Sequence, residues 1–116
     1  MSTDTILNSE AVAQMKELME DAFPAVVAQF QQSGGQYVEE IANGIASNDP
    51  HRIAEAAHPL KSSAKQMGAD QLAELARTME HETRAASDVS ESMQHNFHAI
   101  KAAFEAANAA LNAEIS

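Results

Sequence analysis

The chain has 116 residues, 45% of them hydrophobic and only 4% aromatic, which is enough for one domain with a core of Ala, Leu, Ile, Val and Met. Its 17 acidic and 7 basic residues leave a net charge of −10, which argues against nucleic acid or anionic membrane as partners, since both need clustered Lys and Arg. With no cysteine, the sequence excludes disulfides, thiolate chemistry and Cys-type zinc sites.

The opening residues, Met1 to Glu10, lack a basic stretch followed by a long apolar run and do not read as an export signal. No uninterrupted apolar stretch approaches the roughly 18–20 residues of a membrane span. The expected location is the cytoplasm. A first helix is predicted from about Ser9, with Val12, Met15 and Leu18 or Met19 on one face. A second begins at Phe23-Pro24, where proline suits a first turn. Its stripe is Phe23, Val27, Phe30, Tyr37, Ile41 and Ile45, provided that the helix runs through Gly34-Gly35. Two adjacent glycines weaken a helix by about 1 kcal/mol each relative to Ala, which leaves a bend or a break open there.

Asp49 as N-cap and Pro50 in the first turn start a third helix that runs to Met67. Its buried stripe is Ile53, Ala57, Leu60, Ala64 and Met67, and Gly68 is placed to end it in a left-handed cap. Pro59 inside it removes a backbone bond to Glu55, and a local kink stays open. Asp70 is the expected cap of a fourth helix with Leu72, Leu75, Ala76 and Met79 as its apolar positions. Asp88 and Glu91 have the spacing of a capping box for a fifth, whose seam is Met93, Phe97, Ile100, Phe104, Ala107 and Leu111. Short turns at 47–49, 68–70 and 85–88 make neighbouring helices antiparallel. The expected fold is therefore all-α: an antiparallel up-and-down four-helix bundle with a short additional N-terminal helix, one domain over 1–116 with its core at about 9–113.

Chemistry concentrates on the third helix, in Ala57-His58-Pro59-Leu60-Lys61-Ser62-Ser63-Ala64. His58 is one step off the buried stripe and so lies at its edge, facing outward. Lys61 and Lys65 follow on the same face, and the small Ser62 leaves space over the ring. An exposed imidazole beside two ammonium groups is suited to receiving negative charge, as a phosphoryl group brings. With the turn centred on Ala69, His58 lies eleven residues before it and Glu80 eleven after, at the same height on antiparallel helices. A carboxylate there can accept the Nδ1 proton and leave the Nε2 lone pair free to attack phosphorus. Equal height is necessary for that contact and not sufficient.

These residues resemble the histidine phosphotransfer (HPt) family, whose motif is roughly His-x-Leu-Lys-Gly-Ser/Ala-Ala/Ser followed by Gly-Ala and a Leu-rich helix. His58, Leu60, Lys61, Ser63, Gly68, Ala69 and Leu72 match, and the resemblance extends over nearly the whole chain. Ser62 stands at the usual glycine position, and Pro59 is a second departure. The resemblance implies that His58 is the phosphorylated residue, that Lys61 is the phosphate-side cation, and that Glu80 hydrogen-bonds the histidine. Lys65 and Ser62 complete the candidate site. It also implies a phosphorelay intermediate that takes a phosphoryl group from a receiver-domain phospho-aspartate and passes it to another receiver. The implied partners are response-regulator receiver domains and a hybrid sensor histidine kinase. No cofactor or metal is expected on this chain, with Mg2+ expected on the receiver. Without a nucleotide loop or a Gly-rich phosphate cradle, it is expected to be a covalent carrier rather than a kinase. A monomer is expected, because a transfer histidine has to stay accessible.

Other readings are weaker. A lone helical histidine is ordinarily a surface residue, and here its neighbourhood outweighs that. Glu55-Ala-Ala-His58 is a Glu-x-x-His unit of the kind found in di-iron bundles, but such sites need two units and the chain has one. His51, His81, His95 and His98 show no comparable surroundings, and Arg77, level with Lys61, is a weak phosphate candidate. The alternative from another class is a non-catalytic helical adaptor that docks receiver or kinase domains without phosphotransfer.

Overall fold

The structure, a computed structural model, describes residues 6–115. The reading of the first residues as free of an export signal thus falls partly outside the described residues. Among the described residues there is no strand. The elements are α1 (Ser9–Met19), a single 3-10 turn (Glu20–Ala22), α2 (Phe23–Ala46), α3 (Pro50–Gln66), α4 (Asp70–Arg84) and α5 (Glu91–Ile115). Helices α2 to α5 form an antiparallel four-helix bundle in which α3 packs on α2 and α4, and α5 closes the ring against α4 and α2. No helix among the described residues is long and apolar enough to cross a membrane.

Each turn follows from a few residues. Gly68 adopts φ +76, and its N–H donates to the Lys65 carbonyl while the Ala69 N–H donates to that of Ala64. These are the two bonds of a Schellman cap, and they end α3 where the glycine predicts. Asn48 makes the same turn at the end of α2, at φ +52, with Asp49 N–H donating to Gly44 and Asn48 N–H to Ile45. The Asp49 carboxylate then caps α3 through the Arg52 N–H. Two expected caps differ. Ala69 holds the N-cap position of α4 with no side-chain bond. Asp70 falls inside the first turn, where its negative charge suits the helix dipole and its carboxylate accepts from Asn8. At α5 the cap is Ser90, whose hydroxyl accepts from the Met93 N–H. Asp88 is instead taken up by the Asn48 side chain, which also accepts from the Val89 N–H.

Helix α2 is unbroken over 24 residues. Gly34 is buried against Phe104 of α5, and Gly44 against Ile53 of α3, so two glycines serve as sites of close approach. This shifts the buried line of α2 to Phe23, Val27, Phe30, Gly34, Val38, Ile41 and Gly44, leaving Tyr37 and Ile45 half-buried. Helix α3 likewise runs through Pro59. Its expected stripe is buried throughout, with Ile53, Ala57, Leu60 and Ala64 at 0% exposure. In α4, Leu72, Ala76 and Met79 are buried and Leu75 is half-buried. In α1, Val12 is buried and Met19 packs on the core, whereas Leu18 points into solvent at 80% exposure. A backbone bond from Asn8 N–H to the Gly68 carbonyl (2.6 Å) ties the start of α1 to the α3–α4 turn.

Candidate functional site

The α3–α4 hairpin sets the site. Ala57 and Ala64 of α3 and Ala73 and Ala76 of α4 are all buried, and such small side chains let two helices approach closely. His58 follows Ala57 on α3, and Glu80 follows Met79 on α4, so each leaves the core at the edge of its own stripe. The two edges are the same edge. His58 Nδ1 lies 2.8 Å from Glu80 Oε2, and Lys61 Nζ donates to Glu80 Oε1 at 2.7 Å. The ring is 57% exposed, whereas the carboxylate is only 8% exposed.

Glu80 has a further partner that the sequence reading did not single out. Arg84, one turn along α4, donates to Oε2 through Nε at 3.1 Å and through a terminal nitrogen. The available signal was the Glu80–Arg84 spacing, which brings side chains together on any helix. Burial pushes the Glu80 pKa up, but hydrogen bonds from Lys61, Arg84 and His58, with the Lys61 charge, outweigh it and hold the pKa at about 2. Glu80 is therefore a buried carboxylate kept ionised by its partners. An ionised acceptor facing Nδ1 favours the proton on that nitrogen, the arrangement that in a neutral imidazole leaves the lone pair on Nε2.

Ser62 and Lys65 lie outside this cluster. Lys65 is 74% exposed, with Nζ 3.9 Å from Asp70 Oδ1. Together with Lys61, Asp70, Ala73 and Arg77, they border an open groove between α3 and α4. Arg77 is paired with Glu74 at 2.9 and 3.1 Å. Of the other histidines, His51 stands 3.6 Å from Glu55, so the carboxylate of the Glu-x-x-His unit pairs toward the start of α3. The His98 ring rests against Phe97. Among the described residues no group of three or more His, Asp or Glu side chains is disposed to hold a metal ion.

This geometry can be set beside known proteins. No curated protein matches the sequence significantly. Among solved structures, histidine-containing phosphotransfer protein B (HptB) from Pseudomonas aeruginosa PAO1 superposes with a TM-score of 0.87 at 19% identity, covering 93% of this chain and 92% of that one. At this identity the likeness speaks for the fold. The family model of the Hpt domain matches residues 25–113, which include all of α3 and α4 and all but the outermost two residues of α2 and of α5. The chain belongs to the Hpt domain family.

Proposed function

We propose that this protein is a phosphorelay carrier in which His58 takes a phosphoryl group from the phospho-aspartate of one receiver domain and delivers it to the aspartate of another. The observation that carries the reading is the 2.8 Å contact between Nδ1 of an exposed imidazole and a buried, ionised carboxylate. That contact supports the tautomer a nucleophilic Nε2 needs.

The step balances without an added base. The Nε2 lone pair forms the N–P bond while the P–O bond to aspartate breaks, and the bonding pair leaves on the aspartate oxygen. The Nδ1 proton stays between the ring and Glu80. The ring thus gains positive charge opposite a carboxylate, which stabilises the product and leaves the phosphoryl group easy to pass on. Lys61 screens the phosphoryl oxygens, and Ser62 and Lys65, beside it on the groove, supply outer contacts. Magnesium is assigned to the receiver's carboxylates, and the phosphoryl source to a receiver rather than to ATP. The carrier acts as a monomer, with a hybrid sensor kinase upstream.

The test is transfer from a phosphorylated receiver domain to the wild-type chain and to His58→Gln. Acid-labile label on the wild type alone is the expected result. Stable docking with no label on either chain would replace this reading with that of a non-catalytic adaptor.

A further inference from the structure

Glu80 has more cationic partners than the orientation of one imidazole requires. Lys61 occupies Oε1, while Arg84 and His58 share Oε2. On the phosphocarrier reading, Lys61 has a second duty, since it stands three residues from His58 on the same helix face, where its ammonium can turn to an arriving phosphoryl group. One ammonium cannot serve the carboxylate and a phosphoryl dianion equally, and the phosphoryl group brings the greater charge. A carboxylate as buried as Glu80, deprived of its cation, takes up a proton or shifts its position. Either change loosens the bond to Nδ1 at the moment when the ring becomes positively charged.

We propose that Arg84 is the positioning residue that prevents this: it holds the Glu80 carboxylate in place while Lys61 turns from Oε1 to the phosphoryl oxygens. The proposal rests on the function argued above. Three features support it. Arg84 bonds the same oxygen that faces the ring, so its hold bears on the Nδ1 contact itself. It comes from the helix of Glu80, one turn on, so that docking a partner on α3 need not disturb it. Its guanidinium offers two donors in a fixed plane, which fixes a carboxylate better than a single ammonium does. The N–P bond, the broken P–O bond and the retained Nδ1 proton are unchanged from the step written above; Arg84 takes no part in the bond changes.

The test compares the whole wild-type chain with Arg84→Gln and Arg84→Lys, each loaded on His58 with a small phosphoramidate donor. Arg84 is 59% exposed, so neither substitution opens the core. The His58 Nδ1–H resonance, sheltered from exchange by Glu80, is read by NMR before and after loading, and transfer to a receiver is timed. In the wild type the resonance is expected in both states. In Arg84→Gln it is expected before loading and lost after it, with transfer slowed on the order of tenfold, and Arg84→Lys, which keeps the charge but not the paired donors, is expected to restore both only in part. If Arg84→Gln keeps the resonance after loading and transfers at the wild-type rate, Arg84 is a surface ion pair and the inference fails while the carrier function stands. If the wild-type chain itself takes no label from either phosphoramidate or a phosphorylated receiver, the carrier function falls, and the inference falls with it.

Discussion

Gly34 of α2 lies directly against the ring of Phe104 of α5: a Cβ at Gly34 would stand 2.5 Å from Cε1 and 3.0 Å from Cζ. The same ring meets Phe30, one turn earlier on α2, at a centroid distance of 5.7 Å, so a shift away from a Gly34 Cβ would disturb that contact as well. Gly34→Ala is therefore expected to destabilise the bundle by about 1–3 kcal/mol, the usual cost of overpacking. At Gly35, where an added Cβ meets nothing within 4 Å, alanine is expected to stabilise by about 0.5–1 kcal/mol. Denaturant midpoints of the two variants check both signs, and equal midpoints would contradict the close approach.

Glu80 makes stability depend on acid. Its folded pKa, about 2, lies below the ordinary value of 4.5. The folded state thus holds the proton less tightly than the unfolded chain, so the contribution is complete above pH 4.5 and is lost as pH falls toward 2. At 1.36 kcal/mol per unit this amounts to roughly 3 kcal/mol. Glu80→Gln is expected to be the less stable chain at neutral pH and to lack this part of the acid loss. Urea unfolding across the acid range would show the two stabilities converging; parallel curves would mean that Glu80 is not held ionised.

Asn48 combines a left-handed backbone with two side-chain bonds across to the α4–α5 loop, one to Asp88 at 3.1 Å and one from the Val89 N–H at 2.8 Å. Asn48→Gly keeps the turn and loses the bonds, with an expected cost of about 1 kcal/mol. Asn48→Ala loses the bonds and adds about 1–2 kcal/mol for an alanine in the left-handed region. Thermal unfolding is expected to rank the chains wild type, Gly, Ala, and an Ala variant as stable as Gly would remove the backbone argument.

Lys61 and Lys65 separate in the structure, and their substitutions are expected to separate as well. Lys61 bonds Glu80 directly, whereas Lys65 is a solvated side chain near Asp70. Lys61→Ala is expected to slow phosphoryl transfer roughly ten- to a hundredfold. Lys65→Ala is expected to change it by about twofold or less, in keeping with the small worth of exposed charges. Rates from a phosphorylated receiver at two salt concentrations give the comparison. Equal losses would place both lysines on the phosphoryl group.

Local patterns carried much of this fold into the sequence. Asp49-Pro50 and Gly68 mark the ends of α3 because the capping bond and the positive φ are properties of those residues themselves. The height match between His58 and Glu80 follows from the rise of a helix and the length of one turn. What escaped depends on partners far along the chain. Gly34-Gly35 reads as a weak point until Phe104, seventy residues on, fills the space beside it. Asp88 reads as a cap until Asn48 claims its carboxylate and leaves the capping to Ser90. Arg84 looks like any solvated arginine until the burial of Glu80, a tertiary outcome, gives its charge something to hold.

The bond between Nδ1 and Glu80 also governs traffic. With one nitrogen committed, the imidazole has a single open corner, and on the carrier reading donor and acceptor both land on it. Each excludes the other, so every transit is an arrival, a transfer, a departure and a second arrival, and the slower departure caps the throughput. With association near about 10⁶ per molar per second, a micromolar partner leaves in about a second, while a nanomolar one stays for about a quarter of an hour. Tight docking on either side would therefore jam the relay, and weak, quickly abandoned contacts are what a one-cornered carrier demands of its partners.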